Sequence, residues 1–268
     1  YHNRTPFHYA AERGHSDICW NIMENLNDKN PKDINDSTPL HKAAINGHLS
    51  VCQLILENTA VKNPKDKKGR TPLHYAATFG YLSIYQEILN YVSDINPPDL
   101  EGRTPLHEAA CFGHTSVCEL IIDEVSDKNP KTELWETTPL HLAAANGHIE
   151  VCKLIAEKID DAFPKDHLKT TPFDRAADNE HIEICEYFLR KLKTELQKRG
   201  SKISGLKGEL VGRLKTHLEE EGFNPDTFNF HPIEDISDNS ERAPASKKHS
   251  KYPILDIVEG NVTKIRPS

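Results

Sequence analysis

The sequence predicts an all-α fold: a solenoid of six stacked helix pairs, followed by a small helix-loop-helix and a disordered tail. Three observations lead there. Close copies of Thr104-Pro105-Leu106-His107-Glu108-Ala109-Ala110 recur at Thr5, Thr38, Thr71, Thr138 and Thr171. Four of the five intervals between these threonines are 33 residues and the one from Thr104 to Thr138 is 34, which marks a repeat array rather than one globular core. After residue 189 the period is lost and the charge changes sign, so the domains expected are 1–189, 190–221 and 222–268.

Within each unit the threonine suits a helix N-cap and the following proline suits the first helical position, where its missing N–H costs nothing. The paired alanines allow a neighbouring helix to approach closely. Gly14, Gly47, Gly80, Gly113 and Gly147 then end the helix as residues tolerant of positive φ. A second helix follows, as in Ile149-Glu150-Val151-Cys152-Lys153-Leu154-Ile155, with apolar residues at helical spacing. The unit closes with an Asn-Pro or Phe-Pro turn and a short polar loop such as Asn63-Pro64-Lys65-Asp66-Lys67-Lys68-Gly69-Arg70.

Composition narrows the functional classes. At 268 residues, 37% hydrophobic and 28% charged, the chain has no run of about eighteen apolar residues, so neither a membrane span nor a membrane partner is expected. It starts at Tyr1 inside a unit and its only methionine is Met23, which reads as a fragment or processed piece of a longer chain. Five of the six cysteines, Cys19, Cys52, Cys118, Cys152 and Cys185, lie fourteen residues after their own threonine, with Tyr85 in that place in the third unit. They stack one per unit at helix separations of about 8 to 10 Å, beyond the roughly 7 Å reach of a disulfide. They are expected to be buried thiols, which fits a reducing, intracellular compartment.

With the TPLHxAA core, the Gly-His step and the 33-residue period all present, residues 1–189 resemble ankyrin repeats. The resemblance implies antiparallel helix pairs joined by hairpin-like fingers, stacked so that a concave groove and the finger tips bind other proteins. Two departures stand out. After the second helix, where the family has glycine, this chain has Leu26, Thr59, Val92, Val125 and Ile159. A β-branched residue in the left-handed region costs about 1 to 2 kcal/mol, so a different turn, closed by the following proline, is expected. The sixth unit is also degenerate, with Phe173-Asp174 for Leu-His and Glu180 for Gly, as a terminal repeat would be.

The same resemblance points to the groove positions, namely the two residues before each helix-ending glycine and the one before each threonine. They include Ile45, Phe79, Phe112, Arg70 and Arg103. Phe79 and Phe112 occupy the same place in successive units and should form an aromatic strip flanked by the two arginines, residue types enriched in binding hot spots. Trp135 lies in the one finger lengthened by a residue and should sit at its tip. The alternative is that these rings pack against adjacent helices. Ten of the fifteen histidines are repeat positions: His8, His41, His74, His107 and His141 in the TPLH core, and His15, His48, His114, His148 and His181 after the helix break. For the first set the family implies backbone hydrogen bonds between units. No Cys-x-x-Cys or His-Glu-x-x-His spacing occurs, so no metal is expected. Nor is a cofactor, a small-molecule ligand or catalysis expected, because no nucleophile–base arrangement or phosphate loop is present.

The net charge of −8 is unevenly spread. Residues 1–189 carry 18 basic and 29 acidic side chains, whereas residues 190–218 carry 9 and 2, a basic island facing a polyanion or a solvated helical face. The apolar pattern of Ile182, Ile184, Cys185, Phe188 and Leu189 runs on into Leu192 and Leu196, so one helix is expected to serve both units and to stop at Gly200. With Leu192, Leu196, Arg199, Gly200, Gly205, Lys207, Leu210, Arg213 and Leu214 in place, residues 190–221 resemble the SAP domain, a helix–loop–helix associated with A/T-rich and scaffold-attachment DNA. Ser201 departs from the family, which has an apolar residue there.

Lys198, Arg199, Lys202, Lys207 and Arg213 cluster around the loop and the start of the second helix, where backbone N–H groups also favour phosphate. The chain thus reads as a non-enzymatic adaptor whose groove holds a protein while its SAP-like end contacts double-stranded DNA, with the nucleus as the favoured compartment. The alternative is a cytoplasmic ankyrin scaffold or enzyme-targeting subunit in which residues 190–221 only cap the solenoid. A third reading puts an enzyme or membrane domain in a preceding part. From Phe223 the mixture of Pro, Asp, Asn and Ser suggests disorder. Within that tail, Lys247-Lys248-His249-Ser250-Lys251 is a nuclear-localisation candidate.

Overall fold

The computed structural model describes residues 3–198, which form twelve α-helices in six consecutive pairs. The first pair is α1 (Pro6–Glu12) and α2 (Ser16–Glu24), the second α3 (Pro39–Ile45) and α4 (Leu49–Asn58). The third is α5 (Pro72–Thr78) and α6 (Leu82–Leu89), the fourth α7 (Pro105–Phe112) and α8 (Thr115–Glu124). Then come α9 (Pro139–Ala145) with α10 (Ile149–Lys158), and α11 (Pro172–Asp178) with α12 (Ile182–Lys198). The odd-numbered helices pack in one row, the even-numbered in a second, and each pair packs on itself. The all-α repeat architecture is the one the period predicts.

Between the two rows lies a core to which every unit contributes the same few positions. Leu40, Leu73, Leu106 and Leu140 are fully buried, as are the paired alanines beneath them. On the even-numbered helices Val51, Ile84, Val117, Val151 and Ile184 are at most 2% exposed. All six cysteines are free thiols, five of them buried, and burial raises the Cys52 thiol to about 12. Such thiols stay protonated and act as small apolar residues.

The departures resolve as the steric argument requires. Thr59, Val125 and Ile159 cap their helices in extended backbone with φ of −113°, −92° and −117°, so no β-branched residue enters the left-handed region there. Gly80, by contrast, has φ +71°, and a Cβ on it would lie 2.4 Å from His114 Nδ1. The corresponding residue of the sixth unit, Glu180, keeps the same conformation at φ +61° without being glycine. Helix α12 runs through residues 189 and 190 to Lys198. Gly200, where it was expected to stop, lies outside the described residues, as do the SAP-like loop and second helix and the tail.

Candidate protein-interaction surface

The histidines fix the frame on which surface residues are displayed. In the first five units the imidazole of the TPLH histidine accepts, at Nδ1, the backbone N–H of its own threonine at 3.1–3.3 Å. The threonine hydroxyl approaches the same nitrogen at 2.9–3.1 Å. At the far side Nε2 lies 2.9–3.1 Å from a carbonyl of the next unit, on Ser37, Arg70, Arg103, Thr137 and Thr170. A carbonyl can only accept, so the ring is neutral with its proton on Nε2. Burial lowers the pKa of all five, to about 4 for His41 and about 3 for His107.

The second histidine set ties the units backwards, a role the sequence reading did not assign. Nε2 of His48, His114, His148 and His181 each sits 3.0 Å from a carbonyl of the preceding unit, on Glu12, Thr78, Cys111 and Ala145. Tyr81 holds this place in the third unit. The joints that carry both histidines are therefore pinned near both ends of the odd-numbered helix.

Every finger is closed by an acceptor side chain at its base. Asp66 Oδ1 accepts the N–H groups of Lys68 and Arg70 at 2.8 and 2.9 Å, and Asp33 and Asp99 repeat the arrangement. In the lengthened finger Thr132 substitutes for the aspartate through its hydroxyl. The remaining carboxylate oxygen turns to the groove side, where Lys42 pairs with Asp33 at 3.0 Å, Tyr75 donates to Asp66 at 2.7 Å, and Arg175 pairs with Asp166. Burial opposes the charge of Asp33 and Asp166, but these donors outweigh it and hold both carboxyls below their usual range. The sequence signal for this arrangement is the aspartate five residues before the threonine, as at Asp33, Asp66, Asp99 and Asp166.

This network decides where the expected groove residues lie. Arg70 is 9% exposed, its Nε 3.5 Å from Asp99 Oδ2. Arg103 Nε donates to Glu108 Oε1 at 2.8 Å, and Glu108 is fully buried. The two arginines thus lie in internal ion pairs beside the aromatics rather than standing free around them. Phe79 is 40% exposed and stacked on Tyr81, with ring centroids 6.0 Å apart. Phe112 is half-buried and stacks on His114 at 6.5 Å. The Phe112 ring therefore rests on the histidine that ties its unit to the one before, and the Phe79 ring on Tyr81 at the equivalent position. Ile45 is half-buried one unit earlier.

Trp135 is 56% exposed on the lengthened finger, its ring edge-on to His167 at 6.3 Å. It is thus well separated in sequence and setting from the phenylalanines of the groove. Lys198 ends α12, while Arg199, Lys202, Lys207 and Arg213 lie outside the described residues. Among the described residues no group of three or more His, Cys, Asp or Glu could hold a metal ion, and no helix is long and apolar enough to cross a membrane.

Two comparisons with known proteins bear on this surface. Scaffold attachment factor B1 of Rattus norvegicus is 41% identical over 70 residues, a stretch covering 26% of this chain and 7% of that protein. The family described as ankyrin repeats, in three-copy form, matches residues 2–66, 60–132 and 106–199. The matches overlap and run from the first unit to the last residue of α12 and one beyond, and the histidine ties, helix pairs and fingers follow the same period. On both counts the chain belongs to the ankyrin-repeat family.

Proposed function

We propose that this chain is a non-enzymatic adaptor whose ankyrin groove captures a protein and whose SAP-like end contacts duplex DNA. Ankyrin arrays are protein-interaction modules, and the feature that carries the reading here is the pair of half-open rings, Phe79 and Phe112, at one position of successive units. Ile45 extends that apolar strip, Arg70 and Arg103 form its ion-paired polar border, and Trp135 adds a second, finger-borne contact. Replacing Phe79 and Phe112 together by alanine should weaken capture of the partner. Unchanged recovery of the same proteins would sink the groove assignment.

The DNA half of the proposal is supported by the basic residues of 190–218 and by the likeness to a protein named for scaffold attachment. Lys198, Arg199, Lys202, Lys207 and Arg213 would contact phosphates, which give affinity without sequence information. Because α12 continues to Lys198, cutting the chain at residue 189 would sever a helix. The test is duplex binding by the full chain and by its Lys207→Ala/Arg213→Ala variant over a salt series. Each phosphate contact contributes about −0.9 to the log–log slope. The variant should therefore bind with a slope shallower by about 2, and A/T-rich duplex should be preferred. A folded chain that binds no duplex at low salt would leave the alternative, a scaffold whose residues 190–221 cap the solenoid. On the DNA-binding reading the nucleus is the compartment of action.

A further inference from the structure

Of the apolar side chains in the array, those left most exposed stand on finger tips, not in the groove. Leu100 is 71% exposed, Leu134 69%, Leu168 on the sixth finger 59% and Trp135 56%. Single backbone hydrogen bonds join each finger to the next: Leu100 N to Lys68 O at 3.0 Å, Glu133 N to Glu101 O at 3.0 Å and His167 N to Trp135 O at 2.9 Å. The fourth and fifth fingers therefore carry one continuous strip, with Leu100 and Glu101 on one side of a joint and Glu133, Leu134 and Trp135 on the other.

Charge distinguishes this strip from scattered surface leucines. The bond across the joint brings the backbones at Glu101 and Glu133 to about 5 Å, the spacing of paired strands. Both residues are exposed, and neither has an ion pair among the described residues. The lysine of the same finger, Lys131, is 2.6 Å from Glu136 and so is already spent. On either side the sign reverses, with Lys67 and Lys68 on the third finger and Lys165 and Lys169 on the sixth. Two glutamates on neighbouring fingers, neither ion-paired among the described residues, are thus accompanied by three large apolar side chains and bounded by cations.

We propose that the tips of the fourth and fifth fingers dock a segment of a partner protein in which Lys or Arg side chains alternate with leucine-like ones. A cationic head can pair with Glu101 and Glu133, while its aliphatic stem covers Leu100 or Leu134. A second cation can lie over the Trp135 ring, the aromatic that attracts cations best. An acidic segment would meet the carboxylates with like charge, and an uncharged one would leave them unpaired. This assignment deepens the protein-binding reading and rests on it, but it concerns finger tips rather than the groove.

The test uses the full 268-residue chain and two fluorescein-labelled decapeptides, one alternating Leu with Lys and one alternating Leu with Glu, followed by anisotropy at 150 mM salt. The Leu/Lys peptide should bind at least about tenfold tighter than the Leu/Glu peptide. Glu101→Gln/Glu133→Gln, and separately Trp135→Ala, should each weaken it about tenfold. Each tenfold step corresponds to about 1.4 kcal/mol. Glu57→Gln/Glu119→Gln, which removes exposed acids elsewhere in the array, should leave it unchanged. Equal binding of both peptides, no binding at all by the folded chain, or an equal loss in the Glu57/Glu119 variant would overturn the proposal. Loss in the Phe79→Ala/Phe112→Ala variant alone would also overturn it while upholding the groove. Retained peptide binding there, with partner capture independent of both rings, would uphold the finger tips and remove the groove.

Discussion

Lowering the pH from 7 to 5 should destabilise the array sharply, because its inter-unit ties require neutral histidines. His41 and His107 are fully buried and both ring nitrogens are engaged, Nδ1 as acceptor and Nε2 as donor. Protonating Nδ1 turns that acceptor into a donor facing other donors. Their folded-state pKa values of about 4 and about 3 lie below the ordinary 6.5, with burial the largest cause. The unfolded chain therefore takes up protons first. Stability is fully present above about 6.5 and falls as pH drops through the window down to the folded values. At pH 5 an unfolded histidine is almost fully protonated and the folded one hardly at all. Linkage then gives a loss of about 2 kcal/mol for each of the two between pH 7 and pH 5. Burial lowers His8, His74, His141 and His148 in the same direction, so the total loss is larger. Urea unfolding followed by far-UV circular dichroism at pH 7, 6 and 5 measures the effect. Loss of less than about 1 kcal/mol over that range would refute the reasoning, as would His41 or His107 resonances that titrate near 6.5 in the folded state.

Other consequences can be checked by substitution. Glu180→Gly should raise stability by about 1 kcal/mol, since glycine relieves the left-handed strain at φ +61°; thermal unfolding should shift upward by about 2 to 4 °C. Ile84 and Ile18 occupy the same place in their units but are 2% and 50% exposed, so Ile84→Ala should cost about 2 to 5 kcal/mol and Ile18→Ala less than half as much in urea unfolding. Arg103→Ala strands the fully buried Glu108 and should cost about 3 to 5 kcal/mol, whereas Arg103→Met/Glu108→Leu should recover most of it. A double variant as unstable as the single one would show that the pair is not the source of the loss.

The sequence alone determined what is local or periodic. A threonine, a proline and a histidine within four positions are enough to start a helix, and their 33-residue spacing is enough to predict the stack. A steric rule was enough to keep Thr59, Val125 and Ile159 out of the left-handed region. The inter-unit ties it left open lie 29 to 37 residues apart along the chain, where only stacking brings groups together. Tertiary structure decided that Arg70 and Arg103 turn inward to Asp99 and Glu108, since a residue at a groove position answers first to any buried carboxylate within reach. It decided that His48, His114, His148 and His181 tie their units to the ones before, and that Phe79 and Phe112 rest on Tyr81 and His114. It also brought Glu101 beside Glu133 at a finger tip, because the bond joining those fingers spans 32 residues of chain and follows no local pattern. Repetition writes the scaffold into the sequence, whereas a binding surface is made of the residues that break the repeat, and only the stacked chain shows which of them meet.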